Sequence, residues 1–360
     1  MEFRKPALAG REAPLNILVT GHRGYIGTCL VPRLTARGFN VTGCDSDLYA
    51  GCDFGPLPDA IPAFDCDYRD LSIEQLAPFD AIVHLAGLSN DPLGELDPAL
   101  TDDINHRGAV GLARKARDAG VQRFIFSSSC STYGAAGEAF IDESGAFHPV
   151  TAYGRSKVDA ERGIAKLASD YFSPSFLRNA TVYGYSPRMR FDLVVNNLVA
   201  WAYTSGRVLL KSRGTAWRPL VHVADVADAF IATLDAPRAA VHLKALNIGR
   251  SSENFRVCEV ADMVARSVPD SRTDMVPEAT ADARNYRVNC DLATSVLTTW
   301  KPRWTVPDGI EEVYRACIEF GLSADEFESP KLQRLAHLQL RLQTGELQAD
   351  LRPSKVAGEC

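Results

Sequence analysis

The chain has 360 residues, 39 of them basic and 45 acidic, which gives a formal net charge of −6 at neutral pH. A chain of this length can bury a large core, and its acidic balance gives no electrostatic reason to expect binding to nucleic acid or to an anionic membrane. Its nine cysteines include no Cys-x-x-Cys pair, so the sequence predicts free thiols in a reducing compartment, with neither a disulfide framework nor a metal site.

The N-terminal residues 1–14 mix charged and small residues and lack the apolar centre of a secretory signal. No apolar run in the sequence approaches the length of a membrane span. We therefore expect a cytoplasmic protein with no membrane partner and no nucleic-acid partner.

The first predicted unit is a strand, a glycine turn and a helix. The apolar run Ile17–Thr20 leads directly into three glycines, and apolar residues with helical spacing follow. Gly21 would allow a sharp turn, Gly24 would let a pyrophosphate approach bare backbone, and Gly27 would let the helix pack closely on the strand. The free N–H groups at the start of that helix favour phosphate, so the unit predicts a dinucleotide site, with a plain tight turn as the alternative. The candidate cofactor-binding residues of this turn are Gly21, Gly24, Tyr25, Ile26 and Gly27.

Acidic residues follow the next two predicted strands. Asp45 ends the run from Val41, roughly 20 residues after the glycine turn, where a carboxylate can accept hydrogen bonds from both ribose hydroxyls. Since a carboxylate there would repel a 2′-phosphate, Asp45 favours NAD over NADP, unless Asp45 or Asp47 only caps a loop. Asp67, with Tyr68 beside it, follows a short third strand and could meet the adenine amino group or simply solvate its loop.

A fourth strand and a helix continue the alternation. The buried-strand run that starts at Ala81 ends in small residues, which would leave room for a cofactor, and residues 105–119 have a helical pattern. Alternating strands and helices predict an α/β protein with a doubly wound parallel sheet and right-handed crossovers. The candidate cofactor contacts in this region are Leu85, Ala86, Gly87 and Asn105.

A cluster of hydroxyl side chains follows the predicted strand Arg123–Phe126. Ligands of open parallel sheets bind beyond the carboxyl ends of the strands, so this cluster would point into the site. The alternative is a polar turn that satisfies its own hydrogen bonds. The candidates from this cluster are Ser129, Ser131 and Thr132.

A tyrosine and a lysine lie one turn apart in the predicted helix that follows Thr151. Tyr153 and Lys157 would share a helix face, and the ammonium would lower the tyrosine pKa toward the range in which it can act as a base. The same spacing also occurs where a lysine merely lies beside a half-buried tyrosine. Its position after the glycine turn and the serine cluster makes the catalytic interpretation specific.

Together these motifs resemble the extended short-chain dehydrogenase/reductase family, in its branch of NAD-dependent nucleotide-sugar epimerases and dehydratases. They occur in the family's order, and the resemblance covers about residues 15–325. It implies a Rossmann-type doubly wound sheet with a smaller C-terminal lobe that binds the substrate. It also implies that Tyr153 is the catalytic acid/base, that Lys157 binds the nicotinamide ribose and tunes Tyr153, and that Ser129 bonds the reacting hydroxyl or keto group.

The resemblance also implies contacts to a nucleotide-diphosphate sugar. Asn196 and Asn197 resemble the family's asparagine contact to the substrate diphosphate, and Arg218 and Arg284 resemble arginines that pair with it. Guanidinium groups suit a doubly charged diphosphate because they donate two parallel hydrogen bonds. The basic segment 186–192 is expected to line the same cleft. The implied substrate-binding residues are Ser129, Ser131, Thr132, Thr181, Asn196, Asn197, Arg218 and Arg284.

Three positions depart from the family pattern. Dehydratases of this branch carry an acidic pair just after the catalytic hydroxyl, where this chain has Cys130 and Ser131, so dehydration is disfavoured. Related 3,5-epimerases carry a cysteine where Ser131 stands, and Cys130 is one position away, which weakens that alternative. Thr181 replaces the family's sugar-contacting asparagine, so the identity of the sugar stays open.

The resemblance divides the chain into three parts. Residues 14–180 would form the NAD-binding domain, completed by about residues 218–248, and residues 181–330 would form the nucleotide-sugar-binding lobe. Residues 331–360 would form a helical tail whose leucine stripe either docks on its own chain or covers a neighbouring subunit. A homodimer is expected.

The resulting hypothesis is an NAD-dependent epimerase that acts on a nucleotide-diphosphate sugar, at C4 and through a transient 4-keto intermediate. The alternative is an NAD(P)-dependent 4-keto sugar reductase, dehydrogenase or dehydratase of a deoxysugar pathway. A regulatory protein that binds NAD without turnover is a third hypothesis, but it would have no need for the intact set of Ser129, Tyr153 and Lys157.

Overall fold

Strands and helices alternate along the first half of the computed structural model, which describes residues 14–89, 94, 97–280 and 284–354. The strands of the main sheet are β1 (Asn16–Thr20), β2 (Asn40–Cys44), β3 (Ala63–Phe64), β4 (Ala81–His84), β5 (Arg123–Ser129), β7 (Ser173–Asn179) and β11 (Ala245–Ile248). Each pairs in parallel with its neighbours, in the order β11-β7-β5-β4-β1-β2-β3. The predicted doubly wound parallel sheet is therefore confirmed.

The strands are apolar because helices cover both faces of this sheet. Ile17, Leu18 and Val19 of β1 are each 0% exposed. The helices of the first half are α1 (Gly27–Ala36), α2 (Ile73–Leu76), α3 (Pro98–Asp102), α4 (Ala109–Asp118) and α5 (Ala152–Ala165). Side chains of α1 pack into a core on one face, and side chains of α4 and α5 pack into a second core on the other face.

The strand order reverses between β1 and β4. The chain runs outward from β1 to β2 and β3, then returns to β4 on the other side of β1 and continues to β5, β7 and β11. In open parallel sheets, ligands bind in the crevice at the carboxyl ends of the strands on either side of such a reversal. The glycine turn after β1 and the small residues after β4 lie at that crevice.

A second group of elements lies outside the main sheet. Its strands are β6 (Phe140–Ile141), β8 (Thr181–Tyr183), β9 (Arg207–Ser212), β10 (Trp217–His222), β12 (Asn254–Arg256), β13 (Arg272–Thr280) and β14 (Arg287–Val288). They form a three-stranded sheet, β12-β10-β8, and two strand pairs. Its helices are α6 (Val194–Ser205), α7 (Val223–Asp235), α8 (Arg238–Val241), α9 (Val257–Ser267), α10 (Asp291–Val296), α11 (Val306–Glu319) and α12 (Ala324–Glu328). Side chains of α6, α9 and α11 share a third core, whereas those of α7 return to the core that contains α1.

The helix expected over residues 105–119 differs in detail. Helical structure begins at Pro98, widens into a π-type turn over Asp103–Gly108, and becomes regular again from Ala109. Wide turns of this kind occur frequently at functional sites. Asn105 lies in this turn, and its side chain bonds the loop after β4.

The tail helix α13 (Arg334–Gln343) docks on its own chain. Leu338, Leu347 and Leu351 are at most 4% exposed and pack into the core that contains Tyr68. Of the two alternatives for the leucine stripe, the structure therefore shows docking on the same chain. In the described ranges, no helix combines the length and apolar character needed to cross a membrane.

Candidate active site

The glycine turn after β1 is shaped by backbone contacts that leave no room for side chains. Gly21 has a φ of +76°, and a Cβ on it would lie 2.7 Å from the backbone nitrogen of Ala86. A Cβ on Gly27 would lie 2.4 Å from the carbonyl oxygen of Gly21. The turn therefore presents bare backbone to the cleft, as a site for pyrophosphate requires. All five predicted residues of the turn line the cleft: Gly21, Gly24, Tyr25, Ile26 and Gly27.

Asp45 lines the same cleft at the end of β2. Its Oδ2 accepts a hydrogen bond of 2.9 Å from the backbone N–H of Arg23, and its Oδ1 accepts one of 2.9 Å from that of Asp47. Burial raises the pKa of the Asp45 carboxyl, and these two donors act in the opposite direction. The carboxylate caps its own turn, and these bonds also hold it at the cleft. Capping the loop is therefore compatible with the predicted contact between Asp45 and the adenosine ribose.

Asp67 and Tyr68 also line the cleft, but their polar atoms already have protein partners. The Asp67 carboxylate accepts from Arg69 through Nε at 3.0 Å and Nη2 at 2.7 Å. The Tyr68 hydroxyl donates to the carbonyl oxygen of Ile104. The predicted contact between Asp67 and adenine therefore has to use the acceptor capacity that Arg69 leaves on the carboxylate, and it stays a prediction.

Asn105, predicted as a cofactor contact, does not itself line the cleft, so that contact stays a prediction. Its side chain is 1% exposed, accepts 2.8 Å from the N–H of Leu88 and donates 2.9 Å to the carbonyl oxygen of the same residue. Asn105 thus holds the loop after β4 in place. The cleft-lining residues of that loop are Leu85, Ala86, Gly87, Leu88 and Ser89.

Ser129, Tyr153 and Lys157 meet in the cleft. Ser129 ends β5, and its Oγ lies 2.8 Å from the Oγ of Ser131. Tyr153 lies in the first turn of α5, which Thr151 caps by accepting from the N–H of Gly154 at 3.1 Å. One turn later, the Nζ of Lys157 lies 5.7 Å from the centroid of the Tyr153 ring. The structure therefore gathers the predicted catalytic residues at one place.

Lys157 is a buried cation. It is 5% exposed, and its Nζ donates 2.8 Å to the carbonyl oxygen of Ser127. Burial lowers the pKa of Lys157 to about 8, while the charge of Glu161 acts in the opposite direction. An ammonium group in such a water-poor position favours a negative charge on the neighbouring tyrosine oxygen.

A buried ion pair fixes the elements that carry these residues. The Glu161 carboxylate of α5 lies 2.7 Å from the Nη2 of Arg178 in β7, and each side chain is 6% exposed. Glu161 also accepts from the hydroxyl of Ser128 in β5, and Arg178 donates 2.9 Å to the Tyr133 hydroxyl. Sequence analysis did not identify this pair, because only the fold brings α5, β5 and β7 together at this point.

Asn179 is a second residue that sequence analysis missed. It ends β7 beside Ser129 in register, lines the cleft and is 5% exposed. Its Nδ2 donates 3.0 Å to the hydroxyl of Ser127, while its buried Oδ1 has no hydrogen-bond partner within the described part of the chain. A buried amide oxygen of this kind is normally satisfied, so it marks a place for a ligand N–H or O–H. The sequence feature that could have identified Asn179 is its position as a polar residue at the carboxyl end of a buried strand.

The substrate side of the cleft contains most of the residues that the resemblance implied. Arg218 is 5% exposed, and its Nη1 donates 2.7 Å to the carbonyl oxygen of Trp217 and also donates to that of Arg284. Asn197 donates 2.7 Å to the carbonyl oxygen of Phe191. The predicted substrate-binding residues that line the cleft are Ser129, Ser131, Thr181, Asn197, Arg218 and Arg284.

Two predicted substrate-binding residues do not line the cleft, and their contacts with a substrate stay predictions. Asn196 is 0% exposed and bonds within the protein, since its Oδ1 accepts 3.0 Å from the N–H of Gly184 and its Nδ2 donates 3.0 Å to the carbonyl oxygen of Arg190. Thr132 is also 0% exposed and donates 2.9 Å to the carbonyl oxygen of Ser129. Both residues support the walls of the cleft without lining it.

The predicted basic segment 186–192 does line the cleft, but acids neutralise its arginines. Arg188 lies 2.9 Å from Asp47 and 2.5 Å from Asp53. Arg190 lies 2.6 Å from Asp192, and its Nη1 donates 3.0 Å to the hydroxyl of Ser89. The segment therefore carries less net positive charge than its sequence suggests. The sequence does not reveal this pairing, because Asp47 and Asp53 belong to a loop that is distant along the chain.

Cys130 is unsuited to acid chemistry in the cleft. It is 0% exposed, its Sγ donates to the carbonyl oxygen of Arg178 at 3.1 Å, and burial raises the pKa of its thiol. The acids among the described cleft-lining residues are Asp45, Asp47, Asp67 and Asp192, so none lies in the segment that follows Ser129. Nowhere in the described ranges do three or more histidine, cysteine or acidic side chains cluster as metal ligands would.

The sequence matches known proteins over most of its length. The model of the NAD dependent epimerase/dehydratase family matches residues 17–249. A UDP-glucose 4-epimerase of Mycolicibacterium smegmatis is 30% identical over 312 residues, covering 82% of this chain and 96% of that protein. A UDP-glucose 4-epimerase of Lacticaseibacillus casei is 28% identical over 319 residues, covering 83% of this chain and 95% of the relative.

A solved structure agrees with these matches. The structure of MoeE5 in complex with UDP-glucuronic acid and NAD has a TM-score of 0.74 and 28% sequence identity, covering 84% of this chain and 99% of MoeE5. The family match spans the glycine turn, Ser129, Tyr153 and Lys157, all of which line one cleft. The chain therefore belongs to the NAD-dependent epimerase/dehydratase family.

Proposed function

We propose that the protein is an NAD-dependent epimerase that inverts C4 of a nucleotide-diphosphate sugar through a transient 4-keto intermediate. The observation that carries this proposal is one continuous cleft. The cleft is lined by the glycine turn, by Ser129, Tyr153 and Lys157, and by Arg218 and Arg284. A dinucleotide site, an acid/base group and an arginine pair for a diphosphate are thus available to one bound substrate.

The residues present fit NAD. The glycine turn leaves a cradle that a Cβ on Gly27 would fill, and its helix start faces the cleft with free N–H groups suited to a pyrophosphate. Asp45 is held where it can accept from the adenosine ribose hydroxyls. When bound, NAD would supply a reversible hydride acceptor at C4 of the sugar.

Tyr153 would take the proton of the C4 hydroxyl and give it back after the sugar has turned. The Lys157 ammonium would stabilise the tyrosine oxygen while it is negative, and would bond the nicotinamide ribose. Ser129 would hydrogen-bond the C4 oxygen as it changes between hydroxyl and keto forms. Such positioned proton transfer contributes about 10²–10⁴-fold to a rate.

Arg218 and Arg284 would hold the diphosphate while the sugar turns between the two hydride-transfer steps. Inversion requires the sugar to present both faces to the same cofactor, so the nucleotide must stay anchored while the hexose moves. Two guanidinium groups provide such an anchor because each can donate two parallel hydrogen bonds to phosphate oxygens. Asn197 and Thr181 line the space between this anchor and Ser129.

The departures from the dehydratase pattern support epimerisation over dehydration. Elimination of water needs an acid that protonates the leaving hydroxyl, and the positions after Ser129 carry Cys130, whose buried thiol faces Arg178, and Ser131. A 4-keto sugar reductase or dehydrogenase would use the same Ser129, Tyr153 and Lys157. It would differ by consuming or producing one NADH per turnover.

The proposal is tested by incubating the purified protein with a panel of UDP-hexoses and UDP-hexuronates. The relatives named UDP-glucose 4-epimerase support UDP-glucose and UDP-galactose as the first substrates to try. Inversion at C4 without net change in NADH is expected for at least one member. NADH turnover in proportion to product would instead establish the reductase alternative, and an unchanged panel with NAD bound would contradict both.

We also propose a homodimer in the cytoplasm, with the division into an NAD-binding domain, a nucleotide-sugar-binding lobe and a tail given above. The acidic net charge and the free cysteines support the cytoplasm. The participation of β11 in the main sheet supports assigning residues near 218–248 to the NAD-binding domain. Sedimentation analysis of the full chain at several concentrations would measure the oligomeric state, and a monomer throughout would contradict the dimer.

A further inference from the structure

The tail contributes a buried guanidinium group to the cofactor cleft. Arg334, the first residue of α13, lines the cleft and is 6% exposed. Its Nη2 donates 3.2 Å to the carbonyl oxygen of Arg188, and its guanidinium carbon lies 4.2 Å from the centroid of the Tyr49 ring. Both neighbours belong to segments on the cleft side of the molecule.

Arg334 makes no ion pair with any of the described residues. Within the described part of the chain, no carboxylate lies within 4.0 Å of its guanidinium nitrogens, and its buried Nε has no hydrogen-bond partner. The neighbouring arginines differ, because Arg188 is paired with Asp47 and Asp53, and Arg190 with Asp192. Burial, followed by the charge of Arg190, lowers the pKa of Arg334, while Tyr49 and the nearby carboxylate of Asp192 act in the opposite direction.

A buried cation that makes no ion pair is costly to a protein unless an anion is supplied from outside. The neighbouring acids Asp47, Asp53 and Asp192 are bonded to Arg188 or Arg190, so none of these three forms an ion pair with Arg334 at the cleft wall. An anionic group of a bound ligand would remove that cost and satisfy the free Nε donor.

The position of Arg334 indicates which ligand group this is. Tyr49, on which it stacks, belongs to the loop that follows Asp45 at the end of β2. The segment of Arg188 and Arg190 is tied to the glycine turn, because Asn196 bonds both the carbonyl oxygen of Arg190 and the hydroxyl of Tyr25. Arg334 thus lies between the loop of the ribose-binding acid and the turn that would bind pyrophosphate.

The rest of the tail is fastened to the same loops. Arg341 donates 2.9 Å to the carbonyl oxygens of both Asp47 and Leu48. Arg69, which holds Asp67, donates 2.9 Å to the carbonyl oxygen of Asp350. Leu351 itself lines the cleft. The segments that carry Asp45 and Asp67 are therefore both covered by residues 334–354, which we call the tail clasp.

This clasp lies outside the region that the family model matches, which ends at residue 249. MoeE5 is matched over 99% of its length while 84% of this chain is covered. The role of the clasp therefore has to be derived from this chain's own contacts.

We propose that the tail clasp closes the adenosine half of the cofactor cleft and that Arg334 binds the pyrophosphate of NAD. The inference rests on the proposed function, since a C4 epimerase regenerates oxidised NAD in each turnover and has no need to exchange it. A clasp that slows NAD release keeps the enzyme in its active form. A carboxylate on a uronic sugar is the other anion to which a guanidinium could bind, but the clasp contacts the adenosine-side loops.

The test distinguishes the NAD pyrophosphate from a sugar carboxylate by letting competitors displace bound NADH. NADH fluorescence in the full-length protein monitors the displacement. Adenosine and ADP share the nucleoside, and only ADP carries the two phosphates. In Arg334→Met, the inhibition constant of ADP is expected to rise about tenfold or more, as for the loss of a charge-assisted hydrogen bond, while that of adenosine changes less than about twofold. Arg315→Met, at an exposed arginine of α11, is the matched control and should change neither constant.

Equal effects on ADP and adenosine, or no effect on either, would overturn the pyrophosphate contact. An unchanged ADP constant combined with a higher KM for UDP-glucuronate, but not for UDP-glucose, would assign Arg334 to a sugar carboxylate instead. Both competition measurements are independent of turnover, so a protein that binds NADH but inverts no sugar would contradict the proposed function and leave the pyrophosphate contact standing.

A second variant tests the clasp without touching the ligand. Arg341→Met removes the two bonds to Asp47 and Leu48 and is expected to accelerate release of NADH into an excess of NAD several-fold. A release rate within about twofold of the unmodified protein would contradict a role of the clasp in retention. This variant also covers the case in which Arg334→Met does not fold, because Arg341 is less buried than Arg334 and bonds the loop of Asp47 and Leu48.

Discussion

Lys157 places a positive charge where the protein excludes almost all water. Its ammonium is bonded to the carbonyl oxygen of Ser127, lies 5.7 Å from the Tyr153 ring centroid, and is 5% exposed. In such an environment electrostatic interactions are far stronger than in water. In the proposed reaction, Tyr153 would transfer the proton and the charge of Lys157 would stabilise its ionised form.

Replacing Tyr153 with phenylalanine tests the acid/base assignment. Tyr153→Phe keeps the ring and removes the hydroxyl, so the rate of C4 inversion is expected to fall about 10²–10⁴-fold with little change in substrate binding. Steady-state kinetics with the best UDP-sugar of the panel measures this. Tyr171→Phe, at a tyrosine that is 57% exposed, serves as control. Unchanged turnover in Tyr153→Phe would remove Tyr153 from the catalytic role.

The pH dependence of turnover follows from the burial of Lys157. Because burial lowers the pKa of Lys157 to about 8, the ammonium loses its proton as the pH rises through that value. The charge that stabilises the tyrosine oxygen is then lost, so kcat/KM is expected to decline above about pH 8. In Lys157→Arg the side chain stays charged, and the declining limb should move to higher pH in the residual activity. A wild-type profile that stays level to pH 10 would contradict this account.

At the scale of elements, the site depends on how closely α1 approaches the carboxyl end of β1. Gly27 opens α1, and its missing side chain lets the helix start pack against the carbonyl oxygens of Gly21 and His22. The buried ion pair between Glu161 and Arg178 holds α5 against β7, and Glu161 also accepts a hydrogen bond from Ser128 of β5. The first contact shapes the glycine turn, and the second positions the end of β5, which carries Ser129.

Gly27→Ala is expected to destroy the cradle. The added Cβ would lie 2.4 Å from the carbonyl oxygen of Gly21 and 2.5 Å from that of His22, and both atoms are backbone. The helix start must therefore shift, which is expected to cost about 1–3 kcal/mol of unfolding free energy and to abolish measurable NAD binding. Calorimetric unfolding and NADH titration measure the two effects.

Gly111→Ala is the matched control for this prediction. Gly111 also lies in a helix of the NAD-binding domain, but nothing lies within 4 Å of an added Cβ. Alanine there should raise the unfolding free energy by about 0.5–1 kcal/mol through its better helix propensity and leave NAD binding unchanged. If the two variants behave alike, close packing at the helix start does not determine NAD binding.

At the scale of the whole molecule, sequence analysis predicted the features that depend on residues close together in the chain. The glycine turn, the strand-end acid Asp45 and the pairing of Tyr153 with Lys157 depend on local spacing, and the order of the strands follows from general rules of parallel sheets. Asn196, Thr132 and Asn105 were assigned to the cleft because position in a motif does not reveal which way a side chain turns. The structure buries all three.

The residues that sequence analysis missed owe their roles to distant parts of the chain. Arg188 and Arg190 look like a basic patch until the fold brings Asp47 and Asp53 to the former. Arg334 looks like an ordinary surface arginine in an amphipathic tail, and only the docked tail places it at the cleft, where it makes no ion pair with the residues that the structure describes. Such long-range pairings have no local signature in sequence.

The central claim is that one cleft removes hydrogen from C4 of a nucleotide sugar and returns the same hydrogen to the other face. Carrying out the inversion in deuterium oxide tests this most directly, with mass and NMR analysis of C4 in the product. The account predicts inverted product with no deuterium bonded to carbon 4, because the hydride never exchanges with solvent, and no net NADH. Deuterium at C4 of the inverted sugar would contradict it.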